Sequence, residues 1–266
     1  MRFAPRNAVA WVAHWVPFTA RTVFFGSVSL VLGPLTPQRR ASHWAMRAWS
    51  RSCLRFLQVS VDVQGVDNVP HGGFAYASNH QSLLDTLLLA ATLPGDTRWA
   101  VKRSLMTIPF LGWHLWLAGH VPVDREGGKR AAVTTVDRFA KVLARGKALV
   151  VFPEGTRSKD GQIKRFKKGM FYAAVRAGVP VVPVALHGTG AAMGKGAADM
   201  ASPRDPGEPG QRVYVRIGTP LAPGNDGPEP RRASELCERT RDAVLSMHGI
   251  LVETESQRSY TTVAGT

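Results

Sequence analysis

The chain has 266 residues, 44% of them hydrophobic, so it can bury a core and is neither wholly disordered nor a polytopic membrane protein. Its 34 Lys and Arg against 19 Asp and Glu give a formal net charge of +15. That charge favours polyanionic partners such as nucleic acid, an anionic membrane surface or a phosphorylated substrate. Two cysteines are too few for a disulfide framework or a cysteine zinc site.

Two apolar stretches near the N-terminus, Ala8–Ala20 and Thr22–Leu35, are separated by Arg21. The first would form a helix about 20 Å long, shorter than the roughly 30 Å hydrocarbon core of a bilayer. Joining the two would place Arg21 near the bilayer centre at a cost of about 3 kcal/mol. We therefore predict a membrane-associating helical hairpin or interfacial helix pair with Arg21 on the water side. A single tilted span and an ordinary helix packed on the domain are the alternatives.

A change in pattern follows Gly33-Pro34. Residues 38–58 are predicted to form an amphipathic helix that completes an N-terminal region, 1–58. Beyond it, short β-type runs alternate with helical periodicity, which is typical of an α/β domain with a mostly parallel sheet flanked by helices, here over 59–250. The polar residues 251–266 are predicted to be a disordered tail, and Gly188–Gly210 a loop without an assigned function.

The predicted elements of this domain can be given in chain order. The strands are Val59–Val63, Phe74–Ser78, Arg98–Val101, His120–Val123, Ala148–Phe152, Val181–Leu186 and Arg212–Ile217. The helices are Leu83–Ala91, Leu111–Ala118, Lys129–Ala144, Met170–Ala177 and Arg231–Gly249.

The segment Asn79–Asp85, with the sequence NHQSLLD, follows the predicted strand Phe74–Ser78. Ligands of α/β proteins bind at the carboxyl ends of such strands. His80 could act as a general base near neutral pH, and Asp85 could orient it if Ser82 caps the following helix. The same pattern also fits a capping box in which Asp85 only accepts backbone hydrogen bonds.

The segment Phe152–Gly169, FPEGTRSKDGQIKRFKKG, follows another predicted strand. Gly155 would let the backbone approach a ligand, Thr156 offers a hydroxyl, and Arg157 can bind a phosphate in bidentate fashion. Further lysines and arginines follow at Lys159, Lys164, Arg165, Lys167 and Lys168. The alternative is a polar turn with a solvated basic loop.

Two more segments lie around the fourth predicted strand. Lys102 begins the apolar stretch KRSLMTIPFLGWHLW, which could line an apolar channel or pack in the core. The segment GHVPVDR delivers Asp124 and Arg125 to a strand end, where a surface ion pair is the simpler interpretation.

The segment Val179–Leu186, VPVVPVAL, is predicted to be a buried strand that contains Pro180 and Pro183. Proline cannot donate a ladder hydrogen bond, so the two prolines favour an edge or bulged strand.

Together and in this order, the NHx4D, GHVPVDR, FPEGTRS and VPVVPV blocks resemble the 1-acyl-sn-glycerol-3-phosphate acyltransferase family of glycerophospholipid acyltransferases, over about residues 60–220. The resemblance implies an N-terminal helical element leading into an α/β core. It implies acyl transfer from acyl-CoA or acyl carrier protein to the free hydroxyl of 1-acyl-sn-glycerol 3-phosphate, which makes phosphatidic acid in phospholipid biosynthesis.

The resemblance also implies roles for individual residues. His80 would be the general base and Asp85 would orient it, without an acyl-enzyme. Lys102 would serve phosphate binding or the oxyanion site. The acceptor phosphate would be bound by Glu154, Gly155, Thr156 and Arg157, with Arg125 nearby. No metal or redox cofactor is implied, and no HExxH, Walker A or GxGxxG sequence occurs in the chain.

Three alternatives stay open at this point. The same chemistry could act on another lyso-lipid acceptor, a lysophospholipid or a lyso-ornithine lipid. The chain could be an inactive, basic membrane-surface scaffold. A nucleic-acid-binding protein would fit the charge but is not expected, because no standard nucleic-acid motif is present. The net charge and the apolar N-terminus favour the cytoplasmic face of the cell membrane.

Overall fold

The computed structural model of the protein describes residues 8–124, 126–158, 160–192 and 211–264. In these ranges seven strands form one sheet in the order β1-β7-β6-β2-β5-β3-β4. The strands are β1 (Ser60–Gln64), β2 (Phe74–Ser78), β3 (Thr97–Lys102), β4 (Val121–Val123), β5 (Ala148–Val151), β6 (Val181–His187) and β7 (Arg212–Ile217). The helices are α1 (Ala8–Leu32), α2 (Arg40–Phe56), α3 (Leu84–Thr92), α4 (Leu111–Leu117), α5 (Gly128–Ala144), α6 (Gly169–Ala177), α7 (Thr189–Ala192) and α8 (Glu229–Ala264).

The predicted α/β class with a mostly parallel sheet is confirmed. All neighbouring strands pair in parallel except β6 and β7, which are antiparallel. Parallel neighbours need a crossover connection, and the helices between successive strands supply it.

Two apolar layers cover the two faces of the sheet. On β2 the alternation is direct: Ala75 and Ala77 belong to one buried cluster, and Phe74 and Tyr76 to the other. The first cluster includes residues of α5, α6 and α8, and the second includes residues of α2 and α3. Burial on both faces makes β2 a rigid platform for the segment that follows it.

The predicted break of the first helix at Arg21 is wrong. Helix α1 continues through this residue and packs against α2. The Arg21 guanidinium donates to the carbonyl oxygen of Pro17 at 2.9 Å and to Ser52 Oγ at 3.0 Å, and it lies 4.6 Å from the ring centroid of Phe56. Because these contacts hold the guanidinium beside α2 while the side chain stays partly exposed, α1 needs no turn at Arg21 for the charge to reach water.

The hairpin turn lies after Gly33, between α1 and α2. A Cβ at Gly33 would lie 2.3 Å from both Ser29 O and Ser42 Oγ, so only glycine allows the helices to approach this closely. The hairpin therefore pairs α1 with the predicted amphipathic helix. The window Trp15–Leu32 of α1 is long and apolar enough to cross a membrane, and 6% of it is buried in the protein.

The interior position of β6 corrects the prediction of an edge strand. Pro183 pairs with Ala77 of β2, and on the other side the ladder with β7 begins only at Val184. The Pro183 carbonyl accepts the N–H of Gly218, just beyond the end of β7. Pro183 has no N–H to donate, but it lies just outside the ladder between β6 and β7, so no hydrogen bond of that ladder is lost.

The last helix is longer than predicted. Helix α8 runs from Glu229 to Ala264, so most of the segment 251–266 that was predicted to be disordered is helical. Leu251 is buried against the sheet, and the His187 ring of β6 contacts Glu255 at 2.6 Å. These long-range contacts explain helix formation in a polar sequence. Residues 193–210 of the predicted loop lie outside the described residues.

Candidate active site

The carboxyl ends of β2 and β5 are adjacent and bring the two strongest motifs together. The Asn79 amide fixes the end of β2, since it donates to the carbonyl oxygen of Leu186 at 2.9 Å and accepts from the N–H of the same residue at 2.8 Å. This buried pair ties the start of the NHx4D segment to β6. His80 therefore leaves the sheet in a defined direction.

His80 and Asp85 form a direct hydrogen bond. His80 Nδ1 lies 2.7 Å from Asp85 Oδ2, with the histidine side chain 13% exposed and the aspartate 0% exposed. A carboxylate only accepts, so Nδ1 carries the proton and Nε2 is left as the acceptor atom. This is the tautomer that a general base requires.

The same carboxylate oxygen also organises the turn before α3. Asp85 Oδ2 accepts the N–H of Gln81 at 2.6 Å and that of Ser82 at 2.9 Å, while Ser82 Oγ accepts the N–H of Leu84 at 3.2 Å. One side chain therefore both contacts the imidazole and accepts backbone N–H groups of the turn, so the geometry is compatible with both interpretations of Asp85. A turn held this firmly keeps the imidazole in place without reorganisation.

Glu154 joins the two motifs through backbone hydrogen bonds. Its Oε1 accepts the N–H of His80 at 2.8 Å, and its Oε2 accepts the N–H of Lys164 at 3.1 Å. The side chain is buried, and burial raises the pKa of its carboxyl. Both oxygens are thus engaged by protein donors on the His80 loop and the basic loop.

An aromatic ring supports the other side of the imidazole. Phe152 stacks on His80 with ring centroids 4.0 Å apart and planes at 13°. Trp99 lies 6.5 Å beyond Phe152, between centroids. The histidine therefore sits at a boundary, with polar groups on one side and aromatic rings on the other.

An apolar cavity of about 210 Å³ lies beyond these rings, bounded by α1, α2, α3, β3 and α4. Its lining includes Phe25, Trp49, Ala90, Trp99, Leu111 and Leu115. Thr86, which also lines it, is the residue after Asp85. The cavity thus begins close to the His80–Asp85 pair and extends towards α1 and α4.

The residues predicted to bind the acceptor phosphate lie on different elements. Gly155 has a φ of +75°, a left-handed conformation that suits glycine. Thr156 is exposed and Arg157 is half-buried, both on the turn that follows β5. Lys102 is exposed at the end of β3, which pairs with β5. Arg125 lies outside the described residues.

Three features of the site were not recognised in the sequence: the Asn79–Leu186 pair, the ring stacking of Phe152 and the bridging of two loops by Glu154. The sequence signal for the last two was the position of Phe152 and Glu154 directly after a buried strand. Within the described ranges, no group of three or more His, Cys, Asp or Glu side chains could hold a metal ion.

Comparison with known proteins is consistent with this geometry. A family model described as Acyltransferase matches residues 60–187. A 1-acyl-sn-glycerol-3-phosphate acyltransferase of Pseudomonas aeruginosa is 30% identical over 237 residues, which cover 88% of this chain and 88% of that protein. A chloroplastic 1-acyl-sn-glycerol-3-phosphate acyltransferase of Brassica napus is 35% identical over 209 residues, 78% of this chain and 56% of that protein. The chain thus spans little more than half the length of the plant relative.

A solved structure is similar in fold. The crystal structure of the 1-acyl-sn-glycerophosphate acyltransferase from Thermotoga maritima superposes with a TM-score of 0.67 at 26% sequence identity. The match covers 91% of this chain and 96% of that chain.

Proposed function

The chain belongs to the 1-acyl-sn-glycerol-3-phosphate acyltransferase family, and from this we propose that it transfers a fatty acyl group from a thioester to the free hydroxyl of 1-acyl-sn-glycerol 3-phosphate. The observation that carries the proposal is the His80–Asp85 pair at 2.7 Å, at the boundary of an apolar cavity and a basic loop. The product would be phosphatidic acid, an intermediate of phospholipid biosynthesis.

His80 is the general base of the proposed reaction. Its Nε2 takes the proton of the acceptor hydroxyl while the hydroxyl oxygen attacks the thioester carbonyl carbon. The C–S bond then breaks, and the leaving thiolate receives the proton from the imidazolium. Asp85 stabilises the positive charge of the histidine between these two transfers.

The acyl group passes directly to the acceptor in this proposal. Neither cysteine offers an alternative nucleophile, because Cys53 and Cys237 are buried and burial raises the pKa of each thiol to about 11. The donor is an acyl-CoA or an acyl carrier protein thioester, and we propose that no metal or redox cofactor takes part.

The acceptor phosphate binds at the turn after β5 in this proposal. Gly155, Thr156 and Arg157 present backbone, hydroxyl and guanidinium groups there, and Lys102, at the end of the neighbouring strand β3, would add positive charge. Arg125 lies outside the described residues and stays a predicted contributor. The carboxylate of Glu154 would repel a phosphate, and both its oxygens accept backbone N–H groups. We therefore propose that Glu154 positions the two loops and does not contact the phosphate.

The apolar cavity is the proposed binding site of the acyl chain. It borders Trp99, which lies next to the Phe152 ring stacked on His80. A chain entering from the α1–α4 side would therefore present its carbonyl to the imidazole. Apolar walls would exclude water from the thioester and limit its hydrolysis.

Membrane association is supported by an exposed apolar surface, and we propose the cytoplasmic face from the net positive charge. Phe110, just before α4, is 57% exposed, and Trp116, within α4, is 68% exposed. Helix α4 packs against α1. Exposed apolar residues on α1 extend the surface: Val16, Val23, Phe24 and Val31. A patch of this kind on a basic protein fits an anionic bilayer.

Co-sedimentation with phosphatidylglycerol-containing vesicles tests the proposed membrane association. Protein remaining in the supernatant would contradict it.

A thiol-release assay tests the proposed reaction. The full chain in mixed micelles receives 1-acylglycerol 3-phosphate with palmitoyl-coenzyme A or palmitoyl acyl carrier protein, and the His80→Ala variant is run beside it. We expect acceptor-dependent release by the wild type alone. Release only with a lysophospholipid or lyso-ornithine acceptor would overturn the proposed acceptor, and silence with both donors and all acceptors would indicate a non-catalytic scaffold.

A further inference from the structure

The side chain of Lys167 lies across the turn that carries the proposed phosphate site. A Cβ built on Gly155 would lie 2.9 Å from Lys167 Nζ and 3.0 Å from Lys167 Cε. The base of the same side chain is fixed there as well, because the Lys167 N–H donates to the carbonyl oxygen of Pro153 at 2.8 Å. The backbone N–H and the ammonium of Lys167 therefore both lie at the turn that contains Pro153 and Gly155.

No acidic group of the described chain neutralises this ammonium. Lys167 is exposed and takes part in none of the ion pairs among the described residues. The nearest carboxylate along the chain, Asp160, accepts from Ser158 Oγ and from the N–H of Gln162. Glu154, on the Gly155 turn itself, accepts the N–H groups of His80 and Lys164. Lys167 therefore presents its full positive charge to a ligand at the Gly155 turn.

The neighbouring cation of the same loop has a different role. Lys168 Nζ donates to Ser234 Oγ of α8 at 2.7 Å, so this side chain holds the loop against the C-terminal helix. The two adjacent lysines thus have different neighbours, although nothing in the sequence KK distinguishes one from the other.

We propose that Lys167 is a phosphate-binding residue that recognises the phosphate monoester of the acceptor over the Gly155 turn. The inference rests on the proposed function, because the ligand is the proposed acceptor. A phosphate monoester has about two negative charges at neutral pH, and an ammonium can donate charge-assisted hydrogen bonds to its oxygens. Glycine suits position 155 for two reasons. Its φ is left-handed, and a Cβ there would displace the Lys167 ammonium.

Direct binding measurements on the full chain, without an acyl donor, test Lys167. The probe is a short-chain 1-acylglycerol 3-phosphate below its micelle concentration, titrated calorimetrically, and the matched probe is the 1-acylglycerol that lacks the phosphate. We expect Lys167→Met to weaken binding of the phosphate probe about 10-fold and to leave binding of the neutral probe unchanged. Lys167→Arg should retain most of the affinity.

Lys168→Met is the matched control, since it removes the same charge one residue away and should change the affinity for the phosphate probe less than about twofold. Equal losses in the two Met variants would show a general electrostatic effect and overturn the assignment. Unchanged affinity in Lys167→Met, or an equal loss for the neutral probe, would overturn it as well. Circular dichroism and thermal unfolding of each variant check that the fold is retained.

Failure of this inference differs from failure of the proposed function. Phosphate-selective binding that needs Lys167, in a chain that transfers no acyl group, would overturn the proposed reaction and support the binding site. Acyl transfer to the phosphate acceptor, with unchanged binding in Lys167→Met, would support the reaction and overturn the role of Lys167.

Discussion

The two sides of the His80 imidazole differ in the kind of contact that holds them. On the polar side, hydrogen bonds of 2.6 to 3.1 Å connect Asp85 and Glu154 to backbone donors and to the imidazole itself. On the other side, Phe152 stacks on the ring, and an apolar cavity of about 210 Å³ begins beyond it.

In the proposed reaction, this difference would separate two tasks of one site. Proton transfer needs a fixed imidazole in one tautomer, and directional hydrogen bonds supply that. Retention of a long acyl chain needs apolar area with little directionality, and a cavity between helices supplies it. Changes on the polar side should therefore act mainly on turnover, and changes on the apolar side on acyl-chain selectivity.

The largest effect is expected from His80→Ala, which removes the base at the boundary itself. We expect kcat in the thiol-release assay to fall about 10³-fold. The fold should survive, because the backbone N–H of His80 still donates to Glu154. The exposed His71→Ala serves as the control and should retain wild-type turnover. Wild-type kcat in His80→Ala would contradict the general-base role.

A smaller but still large effect is expected from Asp85→Asn on the polar side. The amide oxygen can still accept the N–H groups of Gln81 and Ser82, so the turn should remain. The amide cannot stabilise the imidazolium as a carboxylate does, so kcat should fall about 10²-fold or more. Steady-state kinetics with a melting curve for each protein measure this, and a large loss of thermal stability with unchanged kcat would reverse the assignment.

On the apolar side, Ala90→Leu is expected to alter chain selectivity. Ala90 is 4% exposed and lines the cavity, so a larger side chain reduces the space available to a long acyl chain. We expect kcat/KM for palmitoyl thioester to fall about 10-fold relative to octanoyl thioester. The ratio of the two donors measured on one variant corrects for any general loss of activity, and an unchanged ratio would place the acyl chain elsewhere.

The smallest effect is expected when the pH is lowered, on the free energy of unfolding, through buried histidines on the apolar side. Burial lowers the pKa of His114, which lines the cavity, to about 4. Burial, with the nearby Arg98 charge as the next cause, lowers the pKa of His43 to about 4 as well. The unfolded chain binds these protons near pH 6.5 and the folded chain does not, so stability is complete above pH 6.5 and is lost as the pH falls.

Each of these two histidines should lower the free energy of unfolding by about 0.8 kcal/mol between pH 8 and pH 6. Denaturant unfolding at both pH values measures this. The variant His114→Asn should reduce the pH dependence by the share of one histidine. An identical pH dependence in wild type and His114→Asn would show that His114 titrates in the folded protein as it does in the unfolded chain.

The order of the elements and the two motifs at strand ends were predictable from the sequence, because both depend on local signals. Strands β2 and β7 have the predicted bounds. Each of the other five strands differs from its predicted bounds by at most one residue at either end. Alternating apolar runs specify strands, and the carboxyl edge of a parallel sheet collects the residues that follow them. These local signals placed His80 and Asp85 at this edge but left their pairing open, because the same pattern also fits a capping box, and the family resemblance was needed to favour the pair.

The tertiary structure alone decided the features that depend on long-range partners. Arg21 stays within α1 because Ser52 and Phe56 of another helix receive it, and Pro183 is allowed inside the sheet because β7 ends beside it. The polar end of α8 is helical because it packs on β6. The different neighbours of Lys167 and Lys168, Gly155 and Ser234, were likewise decided by the fold, because nothing in the sequence distinguishes two adjacent lysines.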